Sequence, residues 1–248
     1  MFENNKSTYW WSGLASILMS VCFVWIGIAL MLDPVERYRG EAFWETAARE
    51  PTIQLSWRVA FFIVGIMALA VVPVVSRHIR SSQGEGDGLL HWTILLAYIG
   101  SASLAIDSMR GIYLTLGHLI PAYESGDRSY QLAVQLALSG GTDSQGFFQY
   151  GGVGLWYMIT GFVALRTEKL PKLLSTFFIL GGIGYFFTLI FGLTDTFIPG
   201  TEIAAQALAA LFAGAIIGPA MHIWLGIILL RLAREDGVRT LKPVKAGR

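Results

Sequence analysis

Six long apolar segments divide this chain, and polar or glycine-containing stretches separate them. They cover about residues 11–32, 55–76, 89–112, 147–166, 172–194 and 203–230. A membrane-spanning helix needs roughly 20 mostly apolar residues to cross a hydrocarbon core about 30 Å thick. The pattern therefore predicts an all-α polytopic bundle of six transmembrane helices, forming a single integral membrane domain over residues 1–248.

The first apolar segment is expected to remain in the mature protein as the first transmembrane helix. It is longer than the roughly 7–15 apolar residues of a secretory signal peptide. Asp33 and Pro34 follow it without the small residues of a cleavage site.

Lysine and arginine are distributed unevenly between the predicted loops. Of the 18 such residues, 12 lie in the termini and the loops on one side, two lie within spans (Arg58 and Arg110), and the loops on the other side hold Arg37, Arg39, Arg49 and Arg128. Because loops rich in Lys and Arg stay in the cytoplasm, both termini are predicted to be cytoplasmic.

Composition supports a membrane protein and argues against a nucleic-acid partner, an internal disulfide and a thiolate metal site. Hydrophobic residues make up 54% of the chain and charged residues 14%, whereas soluble domains have roughly 25% charged residues. The net charge of +1 argues against a nucleic-acid partner, which would require a basic excess. A single cysteine, Cys22, allows neither an internal disulfide nor a thiolate metal cluster.

Two connections on the outer side are predicted to form amphipathic helices. They cover residues 35–50 and 129–138, and in the first Phe43 and Trp44 are placed to rest on the bilayer. The alternative is that both segments simply cap the bundle.

Charged residues near the outer ends of the predicted helices form the main candidate site. Charges cost about 2.5–3.5 kcal/mol each at the centre of a membrane helix, so each requires a partner or a role. Antiparallel threading places these residues at similar depth: Arg58, Asp107, Arg110, Asp195 and Glu202. They form either an ion-pair network that fixes helix register or a polar vestibule for a small molecule, lipid headgroup or ion.

Asp107 and Arg110 are three residues apart, which is close enough to pair on one helix face. If that pair is buried, replacing Arg110 with alanine strands the Asp107 carboxylate and costs about 3–5 kcal/mol. His118 follows as a further candidate ligand residue, and the alternative is an ordinary interfacial histidine.

A stripe of small residues on the sixth predicted helix indicates close helix packing. Its members are spaced four apart: Ala210, Gly214, Gly218 and His222. His222 is therefore expected to face another helix. A haem held by His222 and His91 is an alternative, since pairs of histidines ligate haem between membrane helices. The residues predict no other cofactor, no metal site and no catalytic group.

Residues 149–187 carry a resemblance to a known family. A helix containing Gly-Leu-Trp-Tyr ends at Arg166, a short turn with Leu-Pro-Lys follows, and the next helix contains Gly-Gly. This hairpin resembles a broad bacterial family of small multi-pass membrane proteins catalogued only as a domain of unknown function. The resemblance implies six-pass topology and a bacterial inner membrane. It implies no activity and no functional residues.

These observations favour a non-enzymatic accessory or binding protein for a lipid or small molecule, or a subunit of a membrane complex. Its expected partners are the lipid bilayer and a membrane protein or second copy of the chain. One alternative is a small ion-coupled transporter built on the outer Arg and Asp cluster, although the repeats common in transporters are not visible. Another is a haem-binding redox protein that uses His222.

Overall fold

The computed structural model describes residues 5–32, 41–49, 51–80, 87–143, 146–197 and 209–240. These residues are helical almost throughout, and no strand occurs among them, which confirms the all-α prediction. Five of the described segments are long and apolar enough to cross a membrane: Lys6–Leu32, Pro51–Ile79, Gly88–Ser125, Lys172–Phe191 and Leu211–Glu235.

The described helices follow the predicted apolar segments but extend beyond several of their ends. They are α1 (Asn5–Leu32), α2 (Glu41–Arg49), α3 (Pro51–Ile79), α4 (Asp87–Leu114), α5 (Ile120–Ser125), α6 (Arg128–Ser139), α7 (Val153–Thr167), α8 (Lys172–Phe197) and α9 (Gly218–Thr240). Three π-helical turns interrupt or precede them: Thr115–Leu119, Phe147–Gly152 and Leu211–Ile217.

The segment predicted as the fourth span is the least apolar of the six. It consists of the π-helical turn Phe147–Gly152 and the short helix α7. Gln149 and several glycines dilute its apolar character, and it is not among the five candidate spans. It nevertheless packs against α3, α4 and α8, and both Trp156 and Tyr157 are buried in the main core.

The long helices form a closed ring of neighbours around this core. α1 contacts α3 and α9, α3 contacts α4, α4 contacts α7, and α7 contacts α8. The turn Leu211–Ile217 packs against both α8 and α1, which closes the bundle.

Small and polar residues allow α1 and α9 to approach closely. A Cβ on Gly226 would lie 2.8 Å from the Gly13 carbonyl oxygen. Further along, the Ser16 hydroxyl donates to the His222 carbonyl (2.7 Å) and the Ser20 hydroxyl donates to the Pro219 carbonyl (2.9 Å). Close approach and interhelical hydrogen bonds replace the hydrophobic effect as the cause of helix association in lipid.

The predicted small-residue stripe holds only in part. His222 does face α1, and a Cβ on Gly218 would lie 3.5 Å from Phe23 of that helix. No heavy atom of the described chain lies within 4 Å of a Cβ on Gly214, so the close contact there stays a prediction. Gly214 lies in the turn Leu211–Ile217, where a π-helix has more residues per turn and breaks four-residue spacing.

The described part of the first outer segment, Glu41–Arg49, and the second outer segment, Arg128–Ser139, are helical as predicted, but Trp44 does not rest on the bilayer. It is 4% exposed in a small second core with Ala47 of α2, Leu119, Ala122 and Val134. The side chain of Phe43 lies outside the described residues. An indole gains more by burial in such a core than at an interface, so α2 is held onto α5 and the turn Thr115–Leu119.

Several basic residues lie together at one end of the bundle. The Tyr9 hydroxyl lies 3.4 Å from His78 Nδ1, and His78 Nε2 lies 3.3 Å from the Lys169 carbonyl oxygen. Lys6 and Arg234 line one groove there. This surface is called the basic end below. α5, α6 and the segment 140–149 lie at the opposite end, called the outer end.

Candidate functional site

A polar cavity of about 190 Å³ opens at the outer end of the bundle. It lies between the start of α3, the end of α4, the end of α6 and the segment that follows it. Its lining residues are Arg58, Asp107, Arg110, Gly111, Leu114, Leu138, Gly140, Gly141, Asp143 and Gln149. The structure thus brings together three of the charged residues that were predicted to share one site.

Asp107 is held by the segment 140–149. Its Oδ1 accepts from the Thr142 N–H (2.8 Å) and the Thr142 hydroxyl (2.6 Å). Its Oδ2 accepts from the Gln149 side-chain amide (2.8 Å) and the Asp143 N–H (3.3 Å). Gly141 allows this approach, because a Cβ there would lie only 3.0 Å from Oδ2. The Asp107 carboxylate thus accepts hydrogen bonds from four donors.

Asp143 lies four residues before the helical turn that begins at Phe147, and its side chain binds the first N–H groups of that turn. Its Oδ2 accepts from the N–H groups of Phe148 (2.8 Å) and Gln149 (2.7 Å). These N–H groups have no partner within their own helix, so a carboxylate that caps them is stabilising. The cap also fixes Gln149, whose side chain reaches Asp107.

The predicted ion pair between Asp107 and Arg110 is wrong. No ion pair between them occurs within the described chain, where the pair Arg49–Glu45 does. Arg110 instead donates to the Ala137 carbonyl oxygen, in the last turn of α6. The last carbonyls of a helix lack helical partners, and the segment 140–149 supplies Asp107 with more donors than one guanidinium would.

Arg58 reaches the same cavity from α3. Its guanidinium carbon lies 4.6 Å above the Trp57 ring, in cation–π geometry. The guanidinium also packs directly on Gly111 of α4, where a Cβ would overlap it. Because residue 111 is a glycine, the Arg58 guanidinium has room to enter the cavity.

Two guanidinium groups, those of Arg58 and Arg110, stand among the described residues that line the cavity. The two carboxylates of that described lining, Asp107 and Asp143, accept hydrogen bonds from the protein. A guanidinium has five N–H donors, and Arg110 uses one of them on a described partner. Chemistry of this kind suits a ligand with a carboxylate or phosphate group.

The remaining predicted site residues do not add to the described cavity. The side chain of Asp195 and all of Glu202 lie outside the described residues. His118 lies apart from the cavity lining, between two tyrosine hydroxyls: Tyr130 Oη is 3.1 Å from Nδ1 and Tyr113 Oη is 3.3 Å from Nε2. It packs edge-on against both rings.

His222 is enclosed in the bundle. Its Nε2 lies 2.9 Å from Tyr157 Oη and its Nδ1 lies 3.3 Å from Ser16 Oγ, while its ring stacks on Phe23. His91 lies at the basic end beside Arg80. A haem bound by these two histidines would have to displace a hydroxyl from His222, and that alternative stays a prediction.

Several residues that bind Asp107 or line the cavity were missed in the sequence. Thr142, Asp143 and Gln149 follow the second outer helix in the stretch SGGTDSQGFFQ, where no periodic pattern marks them. One available signal was Asp143 a few residues before an apolar helix, which is typical of a helix cap. On α1, the spacing of Gly13, Ser16, Ser20 and Gly27 also indicated the face that packs on α9 and on the turn Leu211–Ile217.

No family model, curated protein or solved structure matches this chain. The resemblance of residues 149–187 to a family of multi-pass membrane proteins therefore stays a prediction.

Proposed function

We propose that the chain is a six-pass protein of the bacterial inner membrane with both termini in the cytoplasm. Five described segments have the length and composition of spans. Phe147–Thr167, which packs between α4 and α8, would be the sixth. The gathering of basic residues at one end of the bundle supports the proposed orientation.

Labelling of single cysteines tests this topology. In a Cys22→Ala background, we expect Arg128→Cys at the outer end to react with a membrane-impermeant maleimide in intact cells. Arg234→Cys at the basic end should react only after the inner membrane is permeabilised. The reverse pattern would contradict the orientation, and equal labelling of both in intact cells would contradict the membrane-embedded bundle.

We further propose that the protein is a non-enzymatic binding protein for a small molecule or lipid headgroup that carries an anionic group. This proposal is supported mainly by the charged side chains that line the outer cavity. Its carboxylates accept hydrogen bonds from the segment 140–149, while the guanidinium groups of Arg58 and Arg110 line the space. A carboxylate or phosphate ligand supplies the acceptors that these groups suit.

The transporter alternative uses the same residues but is less well supported. A coupling carboxylate has to bind and release a proton or cation in each cycle. Asp107 accepts from four protein donors, and taking up a cation would require it to give up several of them. Sites of carriers also lie near the bilayer midplane, whereas this cavity lies at the end of the bundle.

Replacing Gly111 with alanine tests the binding proposal without removing a charge. The new Cβ would push the Arg58 head away from its position, and a flexible side-chain end moves at little cost to the fold. We expect affinity for a small anion to fall by about tenfold or more, the value of one charge-assisted hydrogen bond. Isothermal titration of the protein in nanodiscs, with inorganic phosphate and acetate as probes and tetramethylammonium as the cation control, measures this.

Gly117→Ala is the matched control, since its Cβ would have only an ordinary contact at 3.8 Å with Tyr113. It should bind both anions like the parent protein. Preferential binding of the cation, or equal anion affinity in Gly111→Ala and the parent, would contradict the proposed function.

A further inference from the structure

The lining of the outer cavity offers an anionic acceptor as well as guanidinium donors. Asp143 lines this cavity and is 9% exposed. Its Oδ2 accepts from the Phe148 and Gln149 N–H groups, whereas its Oδ1 accepts from no residue in the described chain. Each oxygen of an ionised carboxylate accepts hydrogen bonds in its own right. Asp143 therefore keeps one charged acceptor for a ligand.

Gln149 provides a second acceptor. Its side-chain nitrogen donates to Asp107 Oδ2 over 2.8 Å. Because an ionised carboxylate only accepts, this contact fixes which end of the amide is the nitrogen. The other end, Oε1, accepts from no residue in the described part of the chain, and Gln149 lines the cavity. A neutral acceptor thus accompanies the Asp143 carboxylate.

Arg110 provides the opposite charge near the other end of the same short stretch of chain. Its Nη2 lies 3.7 Å from the position of a Cβ on Gly140, and one of its N–H groups donates to the Ala137 carbonyl oxygen. Asp143 comes three residues after Gly140, and three residues span at most about 10 Å. The other N–H groups of Arg110 and the Asp143 carboxylate are therefore within reach of one small molecule.

The size and charge of the cavity limit what that molecule is. The cavity measures about 190 Å³, and a water molecule in the liquid takes up about 30 Å³, so the space corresponds to roughly six waters. A simple anion bound by Arg110 would lie close to the like charge of Asp143, which opposes binding. A ligand that carries a cationic donor beside its anionic group turns that repulsion into a charge-assisted hydrogen bond.

We propose that the ligand of the outer cavity is a small zwitterion, in which an ammonium group stands a few bonds from a carboxylate or phosphate. The anionic group binds Arg110, and the ammonium group donates to Asp143 Oδ1 and Gln149 Oε1. This inference rests on the proposed anion-binding function and adds the cationic half of the ligand. Two sources carry this chemistry: a free amino acid and the headgroup of an aminophospholipid.

Isothermal titration of the full-length protein with glycine and with acetate tests the free amino acid, because the two ligands differ by one ammonium group. In nanodiscs without aminophospholipid, glycine should bind about tenfold more tightly than acetate, the value of one charge-assisted hydrogen bond. Asp143→Asn should remove this preference. The variant keeps an oxygen for the Phe148 and Gln149 N–H groups, and its affinity for acetate should rise about twofold because a like charge leaves the cavity.

Asp127→Asn is the matched control. Asp127 also accepts from two helix N–H groups, those of Ser129 and Tyr130, but it does not line the cavity. This variant should bind glycine and acetate like the parent protein. If Asp143→Asn does not fold, Asp143→Ser replaces it, because serine also binds the first N–H groups of a helix. A zwitterion preference that persists in a folded Asp143 variant, or that Asp127→Asn removes equally, overturns the proposal.

Native mass spectrometry in neutral detergent tests the lipid source. If the ligand is a headgroup, phosphatidylethanolamine should bind about fivefold more tightly than phosphatidylglycerol, and Asp143→Asn should remove the difference. A preference for glycine without a preference for this lipid assigns a free amino acid. The absence of both preferences overturns the zwitterion. A protein that binds acetate and glycine equally well keeps the proposed anion site, whereas one that binds neither acetate nor phosphate loses the proposed function itself.

Discussion

Asp107→Ala is expected to lower the free energy of unfolding by about 3 kcal/mol, since hydrogen bonds to a charged group contribute about 1.5–3 kcal/mol each and part of that is recovered by water. Four donors from the segment 140–149 lose their acceptor. Denaturant titration in detergent measures the stability. Hydrogen exchange at the Thr142 and Asp143 N–H groups should become faster, because that segment is no longer held on α4.

Arg110→Ala is the control that distinguishes stabilisation by these four donors from stabilisation by an Asp107–Arg110 ion pair. Arg110 contacts the Ala137 carbonyl and not Asp107, so its removal should cost about 1.5 kcal/mol, the low end for one hydrogen bond that involves a charged group. Arg128→Ala, at an exposed position, gives the baseline. Equal large losses for Asp107→Ala and Arg110→Ala, with strong coupling in the double variant, would contradict the account and restore the ion pair.

Hydropathy alone predicted most of the fold, and the reason is physical. In lipid the backbone must satisfy its own hydrogen bonds, so a long apolar segment has few options besides a helix. The same constraint made the charged residues informative. Helical spacing and antiparallel threading placed Arg58, Asp107 and Arg110 at one end of the bundle, and the structure brings them to one cavity.

The partners of those charges could not be predicted, because they come from backbone and from an irregular segment. Asp107 is bound by two backbone N–H groups and two side chains between residues 142 and 149. No sequence period encodes where an irregular segment folds back. The small-residue stripe has a related limit, since the π-helical turn Leu211–Ile217 changes the residue spacing that the stripe assumed.

Trp44 shows a third limit of the sequence patterns. An aromatic residue on an amphipathic helix beside a membrane suits an interface. Here Trp44 is instead buried in a small core that also contains residues of α5 and α6. Other residues of that core lie far along the chain, at Leu119 and Val134, so neither the periodicity nor the composition of α2 indicates them.

Gly100→Ala is expected to disturb the outer cavity from a distance. Gly100 lies on α4 against the turn Phe147–Gly152, and a Cβ there would overlap the Phe148 carbonyl oxygen and lie 2.9 Å from Val153. A backbone carbonyl cannot turn aside as a side chain does. The turn must therefore move away from α4, and Gln149, which donates to Asp107, moves with it.

Overpacking of this kind costs about 1–3 kcal/mol of stability, and we expect anion affinity at the outer cavity to fall with it. Gly88→Ala is the matched control on the same helix, since no heavy atom of the described chain lies within 4 Å of its Cβ. It should leave stability unchanged or raise it by up to about 1 kcal/mol, the helix preference of alanine over glycine. Thermal unfolding and phosphate titration of both variants in nanodiscs measure the two effects. If Gly100→Ala lost stability but bound phosphate like the parent, the position of Gln149 would not matter to the ligand. The cavity would then depend on Arg58 and Arg110 alone.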